Sequence, residues 1–273
     1  MHQAAVLGSP IEHSLSPVLH HAGYKAHGLN DWRYSKIECL EADLPKVVLE
    51  ADQSFRGFSV TMPGKFAALQ IADRASDRAL AIGSANTLVR TQQGWRADNT
   101  DCEGVLYALD RLVGDAEIRR AVVVGAGGTS RAVIWALRER GAVEITVINR
   151  SDRRQELRNL TEGIACHFVS YDSDLFKITA AADVIVSTVP ADTLRPYVTQ
   201  LAHAPLLDVI YDPWPTPLVS QTAANGYKAV GGLTMLAGQA FSQFEQFTGL
   251  DAPRREMEQA LLQHWKSLEP QRR

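Results

Sequence analysis

AVVVGAGGTSRAVIWALRERGAVEITVINRSDRR, residues 121–154, decides how the second half of the chain folds. The apolar run Ala121 to Val124 has a strand pattern and breaks at Gly125-Ala126-Gly127-Gly128. Helix-forming residues then run to Arg140, Gly141 stops them, and a β-rich run follows from Glu144 to Ile148. Strand, glycine turn, helix and strand make a βαβ unit. Glycines at 125 and 127 allow a tight turn and a close backbone approach to a pyrophosphate, whose charge suits the amide-rich start of the next helix. Ser130 stands where the usual third glycine would be. A glycine-rich turn alone is weak; strand, turn, helix, strand and terminal arginines in register make it a dinucleotide site.

The end of the second strand says which dinucleotide. An NAD site places Asp or Glu there, to take the ribose hydroxyls and repel a 2′-phosphate. This strand ends instead in Asn149-Arg150-Ser151, with Arg153 and Arg154 just beyond. A guanidinium fork matches phosphate oxygens bidentately, so the expected cofactor is NADP. The duller reading makes these arginines a solvated helix start, a poor place for cations because the helix dipole is positive there.

With 273 residues, 45% hydrophobic and 22% charged, the chain can bury a sizeable core and has room for two domains. A net charge of −3 gives no general affinity for nucleic acid or anionic membrane. Cys39, Cys102 and Cys166 are scattered, with no CxxC pair, which argues against a structural metal or a disulfide frame. No signal segment precedes the strand-like Ala4 to Leu7, and no apolar run approaches about 18 residues, so a cytoplasmic protein is expected.

The first hundred residues must form something else, and they are also α/β in pattern. Ala4 to Leu7, Tyr34 to Ile37 and Gly57 to Thr61 read as strands; Ser16 to His27, Glu41 to Ala51 and Gly64 to Ala72 read as helices. Ser16 is expected to cap the first of these, with Pro17 at its first helical position. Ala85 to Arg90 with Trp95 to Ala97 suggests a hairpin, and Asp101 to Leu112 a connecting helix. Met235 to Phe247 and Glu256 to Trp265 read as closing helices.

Four polar clusters in this first part fall at strand ends and helix starts, where open α/β sheets hold ligands. They are Ser14-Leu15-Ser16-Pro17, the stretch from Ser59 to Lys65, Gly83 to Thr87, and Asp98-Asn99-Thr100-Asp101. Singly, each has a plainer explanation: Ser16 a helix cap, Asn86 a turn former, Asp101 a cap, Lys65 a surface lysine.

Together with an NADP domain, the clusters resemble the shikimate dehydrogenase family nearly end to end, from Gly8-Ser9-Pro10 to Gln239. The resemblance implies that Ser14 and Ser16 hold a substrate carboxylate, that Thr61 supplies a hydroxyl and that Lys65 is the catalytic lysine. It assigns Asn86 and Asp101 to the ring hydroxyls, and Tyr211 of YDPWPTPL and Gln239 of MLAGQA to further substrate contacts. Ser59 stands where many members carry Asn; it is kept as a substrate residue, with a shorter reach. The implied cofactor set is Gly125, Ala126, Gly127, Gly128, Thr129, Ser130, Asn149, Arg150, Ser151, Arg154, Thr188, Val209 and Gly232.

The architecture implied is a two-domain α/β protein: residues 1–102 and 236–273 bind substrate, residues 103–235 form a Rossmann NADP domain, and the C-terminal helices pack back on the first domain. The activity implied is NADPH-dependent reduction of 3-dehydroshikimate to shikimate, and its reverse. Lys65 is assigned the proton, with Asp101 as its orienter and charge partner or as a sharer of that duty. Partners are the small-molecule substrate and cofactor, with no metal, nucleic acid or membrane, in a monomer or homodimer. A quinate dehydrogenase is the nearest alternative, opposed by Ser16 rather than Thr and by Arg150 rather than an acidic residue. A methylenetetrahydrofolate dehydrogenase would not need SLSP, SANT and DNTD together. A catalytically silent NADP sensor would be signalled by loss of Lys65 or Asp101, and both are present.

Overall fold

The computed structural model describes residues 1–268, which divide into two compact α/β units. The first comprises Met1–Thr100 and the stretch from Gln239 onward; the second is Asp101–Gly238. In the first, β1 (His2–Gly8), β2 (Trp32–Glu38) and β3 (Phe55–Val60) are parallel, alternating with α1 (Ser16–Ala26), α2 (Leu44–Leu49) and α3 (Lys65–Ile71). After β4 (Arg74–Ala75) and α4 (Asp77–Ile82) the chain turns back as a hairpin of β5 (Thr87–Thr91) and β6 (Gly94–Asp98). Strand β5 runs antiparallel to β3, giving a mixed sheet ordered β2-β1-β3-β5-β6-β4. The C-terminal ends of β1 and β3 and the start of β5 therefore lie along one edge of that sheet. Under it, Leu7, Phe58, Val60, Leu88 and Trp95 form a closed apolar core.

The second unit opens with α5 (Asp101–Val113). Its sheet is wholly parallel: β7 (Arg120–Val124), α6 (Gly128–Glu139), β8 (Glu144–Ile148), α7 (Arg154–Thr161) and β9 (Ala165–Val169) build one half. The other half runs α8 (Leu175–Ala180), β10 (Val184–Ser187), α9 (Ala191–Leu194), α10 (Val198–Leu201), β11 (Leu206–Asp208), α11 (Pro217–Ala224) and β12 (Ala229–Gly231). The order β12-β11-β10-β7-β8-β9 is doubly wound, reversing between β7 and β10. Strands such as Ala121 to Val124 are apolar at nearly every position because helices cover both faces of a parallel sheet.

Helix α12 (Gly232–Thr248) begins in the second unit and ends in the first, and α13 (Arg254–Leu268) lies against α1. Phe244 and Phe247 of α12 pack on the α1 side chains Tyr24 and His20. Among the described residues, no helix is long and apolar enough to cross a membrane.

Two local expectations change. Ser16 is the first helical residue rather than the cap: Leu15 holds the cap position without a side-chain bond, and the Ser14 hydroxyl accepts the Ser16 N–H at 3.4 Å. Helix α2 is shorter than the expected Glu41 to Ala51, spanning Leu44–Leu49 with only Leu44 and Val48 fully buried on it.

Candidate active site

The first unit gathers its polar clusters at one sheet edge. Thr61 follows β3 directly and its N–H reaches Leu7 O of β1 at 2.8 Å; Lys65 then opens α3 and accepts the Ala85 N–H on its own carbonyl at 2.9 Å. This places the backbone of Lys65 beside the residue before Asn86. Thr61 and Lys65 are partly buried, as is Ser14, whereas Ser16 is buried.

Asn86 is almost wholly buried, at 1% exposure, and its carboxamide is held at both ends. Oδ1 accepts from Thr100 N at 2.7 Å and from the Thr87 hydroxyl at 2.8 Å; Nδ2 donates to Gln239 Oε1 at 2.8 Å. Two residues 153 positions apart, one before β5 and one on α12, thus form a single amide pair. Gln239 is partly buried, and its bonded Oε1 leaves the Nε2 end as the donor it can present.

Ser59 sits 4% exposed, its hydroxyl accepting from Tyr34 OH at 2.6 Å and donating to Gln243 Oε1 at 2.8 Å. Gln243 and Tyr34 escaped the sequence reading. The available signal was the spacing of Gln239 and Gln243, which four residues apart share one face of α12. Burial raises the Tyr34 phenol far above its usual range, so it remains a neutral donor.

In the second unit, the residues assigned to the cofactor lie in the turns that follow the parallel strands or in the first turn of the helix after them. Gly125 follows β7, Asn149 follows β8, Thr188 follows β10, Val209 follows β11 and Gly232 follows β12. That is where a doubly wound sheet binds its ligands. Gly125 has φ +105°, and a Cβ there would stand 2.4 Å from Thr188 Oγ1, so no side chain fits the turn. Thr188 in turn donates its hydroxyl to Val124 O at 2.9 Å. Gly127 and Gly128 are exposed, and a Cβ on either would meet nothing within 4 Å, leaving the open room a pyrophosphate needs. Ser130 is buried and donates to Gly127 O at 2.6 Å, pinning the turn to the first coil of α6.

Beyond β8 an open cleft of about 160 Å³ is lined by Asn149, Arg150, Ser151 and Arg154 with Phe168. Asn149 Nδ2 donates to Ser151 O at 2.9 Å, and the Arg154 guanidinium lies 5.5 Å from the Phe168 ring centre. Arg153 turns away to pair with Glu156 at 2.5 Å. An arginine-lined cleft at this strand end fits an adenosine bearing a 2′-phosphate, and the open glycine turn fits the pyrophosphate. Asp101 is the first residue of α5, 6% exposed, and Tyr211 lies partly buried in the loop after β11. That loop is fixed by buried Asp208, which accepts from the Thr216 hydroxyl at 2.7 Å and from Ile210 N at 3.2 Å.

Comparison with known proteins agrees along the chain. Residues 6–88 match the shikimate dehydrogenase substrate binding domain, residues 108–205 the shikimate / quinate 5-dehydrogenase model and residues 232–262 the shikimate 5′-dehydrogenase C-terminal domain. The shikimate dehydrogenase (NADP(+)) of Mesorhizobium japonicum is 38% identical over 259 residues, 91% of each chain. The crystal structure of Mycobacterium tuberculosis shikimate dehydrogenase superposes with TM-score 0.91 at 50% identity, covering 96% of this chain and all of that one. The shikimate 5-dehydrogenase of Thermus thermophilus, solved with NADP(H) and shikimate, gives TM-score 0.84 at 33% identity over 96% of this chain and 99% of its own. With a substrate-domain model, a dehydrogenase model and a full-length relative all aligned to the same two units, this chain belongs to the shikimate dehydrogenase family.

Proposed function

We propose that the chain catalyses the NADPH-dependent reduction of 3-dehydroshikimate to shikimate and the reverse oxidation, a step toward the aromatic amino acids. The observation that carries this reading is the Asn86–Gln239 amide pair, 2.8 Å apart, on the same unit as the Ser14, Ser16 and Thr61 hydroxyls and the Lys65 ammonium. Hydroxyl donors suit a carboxylate, and carboxamides that give and accept hydrogen bonds suit a ring of hydroxyls. A site built to hydrogen-bond hydroxyls rejects analogues that lack them.

NADPH, when bound, supplies the hydride that reduces the ring carbonyl. Lys65 gives a proton to the carbonyl oxygen in reduction and takes it back in oxidation, and Asp101 is the carboxylate assigned to the same proton chemistry. Ser14 and Ser16 hold the carboxylate; Thr61, Asn86, Tyr211 and Gln239 orient the ring. Residues 1–102 and 236–273, of which 269–273 lie outside the described residues, act as the substrate part and residues 103–235 as the NADP part. The glycine turn takes the pyrophosphate, and Arg150 and Arg154 take the 2′-phosphate.

Quinate is the competing substrate, since one matching model covers both dehydrogenases. NADPH absorbance with shikimate and quinate, each against NADP and NAD, tests the reading: turnover is expected with shikimate and NADP. Faster turnover of quinate with NAD would replace it.

A further inference from the structure

Gln243 occupies the middle of a buried relay that ends on Asn86. Its Oε1 accepts the Ser59 hydroxyl proton at 2.8 Å, which sets the carboxamide's orientation and turns Nε2 the other way. Nε2 then donates to Asn86 O at 3.1 Å and to the Thr87 hydroxyl at 3.0 Å. The Thr87 oxygen, with a donor already on it, passes its own proton to Asn86 Oδ1 at 2.8 Å. Oδ1 is thereby fixed as the acceptor end of Asn86, and Nδ2 as the end that reaches Gln239. Reversing Asn86 would set two donors against each other at Thr100 N, which lies 2.7 Å from Oδ1. At the far end, Tyr34 fills the remaining role at Ser59, donating to it at 2.6 Å.

We infer that Gln243 is a positioning residue for substrate recognition: it selects the one orientation of Asn86, with Oδ1 toward Thr100 N and Nδ2 toward Gln239, and Ser59 serves this relay rather than the ligand. The inference rests on the proposed role of Asn86 in holding a substrate hydroxyl. Its chemistry is a matter of proton counting. Ser59 has one proton, spent on Gln243, and Gln243 has two on Nε2, spent on Asn86 O and Thr87. Buried at 1% exposure, Gln243 has no water to replace a lost partner. None of these atoms carries charge, so the relay sets geometry without altering the proton chemistry at Lys65.

Gln243→Met tests this, because it keeps the length and bulk of the side chain while removing both donors. KM for shikimate should rise about tenfold, the worth of a neutral hydrogen bond or two, with kcat within a small factor and NADP affinity unchanged. Asn86→Ala, measured alongside, should raise KM at least as much, and combining the two should add little, since the relay acts through that one residue. If Asn86→Ala raises KM but Gln243→Met leaves it at the parent value and lowers only the melting temperature, Gln243 is structural and the inference falls while the site reading stands. If Asn86→Ala itself leaves KM unchanged, the site reading falls and takes the inference with it. Should Gln243→Met fail to fold, Ser59→Ala carries the test: it frees the Gln243 carboxamide to rotate, so raised KM supports the relay and a parental KM overturns it.

Discussion

At the scale of single residues, the proposed chemistry turns on Lys65. It stands at the first position of α3 with its carbonyl tied to Ala85 N at 2.9 Å, so the backbone under the ammonium is fixed. Lys65→Ala should lower kcat by about 10²–10⁴-fold, the usual worth of general acid–base help, while KM for shikimate changes far less. Steady-state kinetics separate the two; a variant with parental kcat and raised KM would make the lysine a binding residue. Arg150 is the residue proposed to select NADP. A charged hydrogen bond is worth about 1.5–3 kcal/mol, so Arg150→Ala should weaken NADP by about one to two orders of magnitude and leave NAD almost untouched. Equal weakening of both in fluorescence titration would make Arg150 a structural residue. Why the sequence pointed to the arginine cleft and not to Gln243 follows from chain distance. Gly125 to Arg154 is one continuous segment whose order alone carries the chemistry, whereas the Ser59–Gln243 bond spans 184 positions and leaves no mark in local pattern.

Among elements, α1 shows how packing converts a polar side chain into a pH response. His20 is fully buried, stacked on Tyr34 with ring centres 4.1 Å apart and on Phe247 at 5.7 Å. Burial, and then the neighbouring charge of His21, hold its pKa down to about 3 from 6.5. The unfolded chain therefore binds the proton first. Stability is complete above pH 6.5 and is lost as pH falls from there toward 3, by about 2 kcal/mol between pH 7 and pH 5. His20→Phe keeps a stacked ring without the titration, so its urea midpoint should fall much less over that interval; parallel curves for parent and variant would clear His20 of the effect. The longer elements were readable because propensity and pattern agree, as in β8, found at Glu144–Ile148 as expected. Short ones were not: β4 has two residues, and α8, with six, is held by packing rather than by its own periodicity.

For the whole molecule, the two units differ in how much of their topology the sequence could reveal. Successive βαβ steps with a glycine turn leave little choice but a parallel doubly wound sheet. The first unit is mixed because β5 of the expected hairpin runs antiparallel to β3, a pairing that no local motif announces. The first unit is also discontinuous, and one side chain shows how its two pieces meet. Asn86 accepts from Thr100 N at 2.7 Å and donates to Gln239 at 2.8 Å, so the residue where the chain leaves the unit and the residue where it returns flank the same amide. The stretch from Asp101 to Gly238 is in effect an insertion between neighbouring points. Replacing it with a short Gly/Ser linker should therefore give a chain that folds cooperatively, since closing a short loop between adjacent ends costs little. Residues 1–100 alone should not fold, because Tyr24, His20 and Ser59 lose Phe244, Phe247 and Gln243 from α12. Thermal melts followed by near-ultraviolet circular dichroism decide the matter. A sharp transition in the linked chain and none in residues 1–100 is expected; a cooperative melt of residues 1–100 by themselves would mean that α12 and α13 decorate a core already complete.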